Sequence, residues 1–496
     1  MLPGALALAM IATIVLGYFW FPGFVAVIVL IFNTYWLWKS WTVCYHARKG
    51  VRLMRRYERT DWRLAYRRAA YELTGVLPWD KIRHVVIIPN YKENEPKLRA
   101  TLTALSRANG AGESIVPVLA MEEAEPGAAG KGARLAREFA PFFSDFLVTL
   151  HPNGLPGEVR GKSSNEAWAA RCAVRRLVQE QGISLDHLTV TSCDADTLFP
   201  PQYFECLSYE FATNPERYSR FWQAPIFFYN NIWQVPAPLR VPNSLSGLVH
   251  LSRLCRQRRV LFSQSTYSLS MRMAHDVGYW DVDIIPEDWH MFLKCFYSLG
   301  GEVDVDPIFL PVGNDGALSA THRATYVNYY LQVRRWGWGA SDVPYAVEQA
   351  LGHPEIPLKK RLLRCWYLLD NHLQWSTQWF FLTLGSLIPF LYWRFTGGVL
   401  IPDWFLLVNV PILGHITLTS LVVTPTLIPY LMLVIIDSRE RPPAPPGMTR
   451  LYRWLSHGWW LATSPITLYA SALPALDAQV RLMIGRRMEY RVTEKV

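Results

Sequence analysis

Residues Met1 to Trp41 carry one charge, at Lys39, over about twice the ~20 residues that a membrane-spanning helix needs. Phe21-Pro22-Gly23 interrupts this run at its middle, so two antiparallel helices are expected. No basic stretch precedes the apolar residues, which argues against a cleaved signal peptide. Arg48, Lys49, Arg52, Arg55, Arg56 and Arg59 follow, and cations gather on the cytoplasmic side of spanning segments. The amino terminus and the large middle region are therefore expected in the cytosol.

Apolar density returns in Gln374 to Trp393 and in Trp404 to Ile436, the second being long, tilted or broken at Pro425 and Pro429. The charged stretch Asp437 to Arg453 comes back inside. Trp454 to Leu473 reads as an interfacial or re-entrant segment, because Pro465 interrupts it and the tail after it, with Arg481, Arg486 and Arg487, is basic. Across 496 residues, 51% are hydrophobic and 18% charged, so the apolar residues must be segregated from a soluble part. The net charge of +10 sits largely beside the apolar segments, which points to membrane lipids and away from nucleic acid. Seven cysteines without a CxxC pair predict a reduced soluble region with no structural zinc. The expected division is 1–41, two transmembrane helices; 42–80, a basic juxtamembrane linker; 81–345, the soluble domain; 346–373, interfacial helices; 374–436, transmembrane helices; and 437–496, a cytosolic loop, an interfacial or re-entrant segment and the tail.

The run His84 to Pro89 reads as a strand buried on both faces, followed by a polar loop, Asn90 to Glu95, and a helical pattern. Ligands of α/β sheets bind at the carboxyl ends of such strands. A second strand ends in Glu122 and Glu123, and a third in Asp194-Ala195-Asp196, so three strands bring acids to one edge. Read as extended backbone, the triplet sends both aspartates to one side, where hard cations such as Mg²⁺ or Mn²⁺ take carboxylate oxygens.

Further motifs follow in order: Gly161-Lys162-Ser163-Ser164-Asn165, Gln223-Ala224-Pro225, Pro286-Glu287-Asp288 and Gln332-Val333-Arg334-Arg335-Trp336. Together with the aspartate triplet they resemble the family 2 inverting glycosyltransferases of GT-A fold, in particular the membrane-bound branch with cellulose synthase, hyaluronan synthase and ceramide glucosyltransferase. The likeness covers roughly Val85 to Trp336 and implies an α/β GT-A cytosolic domain inserted between amino- and carboxyl-terminal transmembrane helices. It implies Tyr91, Glu93, Glu122, Glu123, Lys162 and Asp194 as donor contacts, and Asp194 and Asp196 as the metal site. Asp288 is then the catalytic base, Gln332, Arg335 and Trp336 meet diphosphate and acceptor, and Gln223, Ser265 and Glu287 line the acceptor path.

Within this resemblance the expected function is a processive inverting transferase that builds a polysaccharide from a UDP-sugar, with GDP-mannose as the other donor. A single-transfer enzyme that glycosylates a lipid is the alternative. A transporter or receptor with a degenerate nucleotide-binding domain is a third reading, opposed by the intact Asp194, Asp196, Asp288 and Arg335. The sequence departs from the cellulose synthase pattern at Glu122-Glu123, where relatives carry aspartates, and at Gln264, where those synthases have glycine. The proline- and glycine-rich segment His151 to Arg160 is expected as a loop over the donor. The expected place is the bacterial inner membrane, with the catalytic domain in the cytosol.

Overall fold

A computed structural model describes residues 2–256, 261–400, 406–410, 414–486 and 488. Trp404 and Arg487 lie outside the described residues.

The soluble region is built on a mixed seven-stranded sheet. In chain order its strands are β1 (Arg83–Asn90), β2 (Ile115–Glu122), β3 (Leu147–His151), β4 (Leu188–Ser192) and β5 (Arg220–Gln223). A short β6 (Ile226–Phe227) lies in a separate two-stranded pair, and β7 (Tyr267–Ser270) and β8 (Asp304–Pro307) complete the large sheet. The spatial order is β3-β2-β1-β4-β7-β5-β8. β1, β2, β3 and β4 run parallel, β1 pairing with both β2 and β4. The chain passes from β1 outward to β3 and then crosses back to place β4 on the other flank of β1. That reversal opens a crevice at the carboxyl ends of β1 and β4, where open α/β sheets take ligands.

β7 enters this parallel set antiparallel to both β4 and β5, with Ser192 opposite Tyr267. The start of β7 therefore lies beside the end of β4. Covered on both faces, β1 and β2 are buried almost throughout, as their apolar runs demand. His84 is enclosed in β1 between Thr189 Oγ1 at 2.8 Å and Ser208 Oγ at 2.7 Å, and burial pushes it down to about 3, so it stays neutral.

The membrane end begins with α1 (Leu2–Trp20) and α2 (Pro22–Glu58). Pro22 at the first turn of α2 starts the second helix where the break was expected. α2 runs without interruption through the basic stretch after Trp41, since arginine, lysine and leucine are good helix formers. It packs on α3 (Ala237–Cys255) through Gly50, where a Cβ would lie 2.5 Å from Leu251 Cγ. α4 (Glu287–Ser298) and α5 (His322–Gly337) carry the last two motifs. The 39-residue α6 (Leu358–Thr396) lies against α1 and α2, with Tyr18 donating to the Gly385 carbonyl at 2.6 Å and Phe32 stacked on Phe381 at 4.5 Å.

Two short antiparallel strands, Leu406–Val410 and Gly414–Thr417, occupy the start of the expected second span. The apolar helical stretch there is Leu421–Glu440. By length and composition, Leu2–Trp20, Pro22–Glu58 and Leu421–Glu440 can cross a membrane, which makes this an integral membrane protein. Trp454 to Leu473 is divided into short helical pieces that lead into a final helix, α7 (Leu473–Met483), seated on α5 where Ala475 approaches Gly337.

Gly50→Val forces a branched side chain into the α2–α3 contact, and overpacking of this kind costs about 1–3 kcal/mol. The expected result is a lowered thermal unfolding midpoint of the detergent-solubilised protein, partly restored by adding Leu251→Ala.

Candidate active site

One cavity of about 1940 Å³ gathers most of the residues singled out from the sequence. Tyr91, Glu93, Glu122, Lys162, Asp194, Asp196, Ser265, Glu287, Asp288, Gln332, Arg335 and Trp336 all line it.

At the end of β1, the Glu93 carboxylate accepts the Tyr91 amide at 2.7 Å, and the Arg160 guanidinium sits 5.8 Å from the Tyr91 ring. The loop from His151 thus ends over the Tyr91 side of the cavity. At the end of β2, His151 Nδ1 lies 3.1 Å from Glu122 while its Nε2 lies 2.8 Å from Glu158. Burial opposes a charge on His151, but the two carboxylates outweigh it and raise its pKa. Glu123 stands off the cavity wall, because successive residues at a strand end point to opposite sides. Its carboxylate accepts the Asn153 amide at 2.9 Å.

β4 ends at Ser192, and Asp194 to Thr197 form a turn closed by Thr197 N to Asp194 O at 3.0 Å. The extended geometry expected for the triplet is therefore replaced by a turn that the Thr197 hydroxyl also braces, accepting the Asp194 amide at 3.1 Å. Both carboxylates still face the cavity, but with different partners. Asp194 Oδ2 accepts Ser265 Oγ at 2.8 Å and Asn314 Nδ2 at 3.3 Å, and Asp194 Oδ1 lies 3.2 Å from Lys162 Nζ. Asp196 Oδ2 accepts the Asp315 amide at 2.7 Å.

Lys162 opens the helix Lys162–Val174 and lies between three acids: Glu287 at 2.8 Å, Asp194 at 3.2 Å and Glu166 at 3.8 Å. Burial works against its charge, yet Glu287, Asp194 and Glu166 together raise its pKa well above the ordinary ammonium value. Glu166, wholly enclosed, is pushed up to about 8 by burial, which Lys162 partly offsets and the Glu287 charge reinforces, so it stays protonated at neutral pH.

Asp288 sits in the first turn of α4, where a carboxylate suits the positive end of the helix. Its Oδ1 accepts the Trp289 amide and its Oδ2 the Ser265 amide, both at 2.9 Å. Burial and the neighbouring Glu287 charge push it up to about 7, against those two N–H groups and Lys162. Ser265 therefore holds two acids at once, Asp288 by its backbone and Asp194 by its side chain. It does so with φ of 49°, a left-handed conformation uncommon for a residue with a side chain.

Gln223 does not line the cavity. Its buried amide donates to the Ala224 and Thr266 carbonyls and accepts the Gln264 amide at 2.7 Å, so it fixes the backbone on either side of Ser265. On α5, Arg334 turns away to pair with Asp477 at 3.1 Å, whereas Arg335 and Trp336 face the cavity, Trp336 against Phe228 at 5.9 Å.

Several residues here were not singled out from the sequence. Glu166 could have been found as the acid four positions after Lys162 on a helix. Asn314 and Asp315 have no local motif. Neither does the pairing of His290 with Asp342 at 2.8 Å and Asp281 at 3.0 Å, which fixes α4 behind Asp288. The two acids raise His290 to about 9 against its burial. Asp342 is itself pushed up by burial, which His290 only partly offsets. The more open Asp281 is held low by His290 and Lys294 despite partial burial, and it is the partner that keeps the imidazolium charged.

These features define a nucleotide-sugar transferase of GT-A fold, with acids from successive strand ends at one crevice. Residues 189–435 match the family described as Glycosyl transferase family group 2, and the chain belongs to the family 2 glycosyltransferases. Among solved structures, it is similar to the mannosyltransferase PcManGT from Pyrobaculum calidifontis in complex with GDP-Man and Mn²⁺, at 15% identity over 90% of this chain and 100% of that one, TM-score 0.41. It is also similar to TarS 1-349 from S. aureus in complex with UDP, at 11% identity over 83% of this chain and 94% of that one, TM-score 0.36. No curated protein matches the sequence.

Because His290 is raised from the ordinary 6.5 to about 9, its ion pairs contribute fully below pH 6.5 and are lost as pH rises through about 9. The unfolding midpoint of wild type minus that of His290→Gln should shrink across this window. Below it, the difference should correspond to on the order of 3 kcal/mol, the cost of breaking a buried pair.

Proposed function

We propose that the protein is an inverting transferase in which Asp288 takes the proton of an acceptor hydroxyl while Asp194 and Lys162 hold the donor diphosphate. The observation that carries this reading is the single residue, Ser265, bonded at 2.9 Å to Asp288 and at 2.8 Å to Asp194, because it fixes the base relative to the leaving-group side. A hydroxyl placed against Asp288 attacks the anomeric carbon as the bond to the diphosphate breaks. The proton passes to Asp288, the nucleoside diphosphate leaves, and one displacement inverts the configuration. Lys162 and Arg335 offer cations to the departing oxygens.

Asp194 and Asp196 supply the hard oxygens that Mg²⁺ or Mn²⁺ prefers, and Asn314 Oδ1, buried beside Asp194, meets no donor among the described residues. Among those residues no group of three or more His, Cys, Asp or Glu is arranged to hold a metal alone, so the diphosphate would complete the coordination. Bound there, the cation would neutralise charge on the leaving diphosphate.

The acceptor enters from the membrane side. The cavity passes Trp336 and Trp375 and reaches Trp36, Trp379 and Leu382 on α2 and α6. Those aromatic walls support growth of a sugar polymer as one reading. Against a pore between α1, α2 and α6, Phe32 stacks on Phe381 and Val29 closes on Gly385 just beyond Leu382, which supports transfer to an acceptor that stays in the membrane. The catalytic face is assigned to the cytosol on the cations that follow Trp41.

Transfer by purified protein with Mn²⁺ and labelled nucleotide sugars should rise with pH through about 7 as Asp288 ionises. Asp288→Asn should lower the rate by about 10²–10⁴-fold and remove that limb of the profile. Donor binding measured by calorimetry should survive in the variant, and loss of binding there would count against the role given to Asp288. Chelation should stop transfer and added Mn²⁺ restore it. Long lipid-free products would favour the polymer, and one labelled lipid the single transfer.

A further inference from the structure

Where the cavity meets the membrane helices, three basic side chains converge on it from two elements: Lys39 on α2, and Arg253 and Arg256 on and at the end of α3. Their polar contacts are neutral. Lys39 Nζ donates to Gln374 Oε1 at 2.5 Å, Arg253 to Asn371 Oδ1 at 3.0 Å, and Arg256 lies over the Trp38 ring at 5.8 Å. The charges acting on Lys39 are those of Arg253, Arg256 and Asp370, and both carboxylate oxygens of Asp370 accept the Gln374 amide at 2.7 Å. Two guanidinium groups and the Lys39 amine thus face one carboxylate. A lysine that merely marked the membrane boundary would extend its head outward to the headgroups. Lys39 instead turns inward over Trp36, at 4.5 Å from the ring.

The cluster is joined to the base by a short run of contacts. Asn371 precedes His372, whose ring meets Trp289 edge-on at 5.6 Å, and Trp289 follows Asp288. The cations and Asp288 line the same cavity. On the membrane side of the cations the wall is apolar, with Trp379 and Leu382.

We propose that the acceptor is a membrane lipid with a phosphate in its headgroup and a hydroxyl beyond it. The phosphate is held by Lys39, Arg253 and Arg256, the hydroxyl reaches Asp288, and the hydrocarbon stays against Trp379 and Leu382. Charge-assisted bonds from two guanidinium groups and an ammonium suit a phosphate, and a partly desolvated site strengthens them. This assignment rests on the transferase reading above. The balance is unchanged by it: the acceptor O–H proton passes to Asp288, its oxygen bonds the anomeric carbon, and the nucleoside diphosphate departs with the electrons of the broken bond.

The test uses the full-length protein in phosphatidylcholine nanodiscs doped with phosphatidylglycerol or with diacylglycerol, or given soluble glycerol phosphate, with retained molecules counted by native mass spectrometry. Phosphatidylglycerol should be retained over both comparators. Lys39→Met and Arg253→Gln should each lower retention by about tenfold, as loss of a charge-assisted contact does, and Arg253→Lys should recover most of it. If Lys39→Met does not fold, the Gln and Lys variants of Arg253 carry the comparison.

Equal retention of diacylglycerol, equal retention of glycerol phosphate, or indifference to both substitutions would overturn the proposal. Donor turnover is followed separately by nucleoside diphosphate release. No turnover would sink the transferase reading whatever lipid is retained, whereas turnover with retention indifferent to phosphate would sink only the lipid assignment.

Discussion

The placement of Ser265 depends on one constraint, the insertion of an antiparallel strand into a parallel sheet. Parallel strands alone bring only their carboxyl ends to the crevice. Because β7 runs the other way, its start arrives beside the end of β4, and Ser265, two residues before it, can touch both the Asp194 turn and the first turn of α4. The left-handed backbone at Ser265 follows from this double duty, with Gln223 fixing the chain around it. Remove that crossing and Asp194 and Asp288 would belong to unrelated parts of the molecule.

The electrostatics of the site follow from the same crowding. Lys162 is one cation among Glu166, Glu287 and Asp194, with Asp288 nearby, and it cannot satisfy all of them. Glu166, the most enclosed, keeps its proton, while Asp288, supported by two amides, is left at about 7. A diphosphate brought to Asp194 would add negative charge to the acids around Lys162 and so would be felt at Asp288 through this ammonium.

Much of the crevice was legible in the sequence because runs such as His84–Pro89 can be buried only between layers, and a sheet aims the residues that follow at one edge. The choice of Arg335 over Arg334 came from motif spacing, and helical geometry places the two on different sides, Arg334 on Asp477. The triplet was read as extended backbone through Asp196, whereas β4 ends at Ser192 and the chain turns from Asp194 to Thr197, braced by the Thr197 hydroxyl. Gln223 was placed on the acceptor path because motif order says nothing about which way a side chain faces. The strands at Leu406–Val410 and Gly414–Thr417 were hidden in an apolar run whose periodicity cannot separate strand from helix. His290 with its two acids was out of reach, since its partners meet only in the folded chain.

α2 is 37 residues without a break, or about 55 Å at the usual rise of 1.5 Å per residue. It leaves the membrane and continues along the catalytic domain, locked to α3 where Gly50 admits Leu251. A linker in this position would let the domain tilt and bob above the bilayer. A continuous rod works as a gauge, fixing the height at which the catalytic domain and its cavity stand above the apolar part of α2.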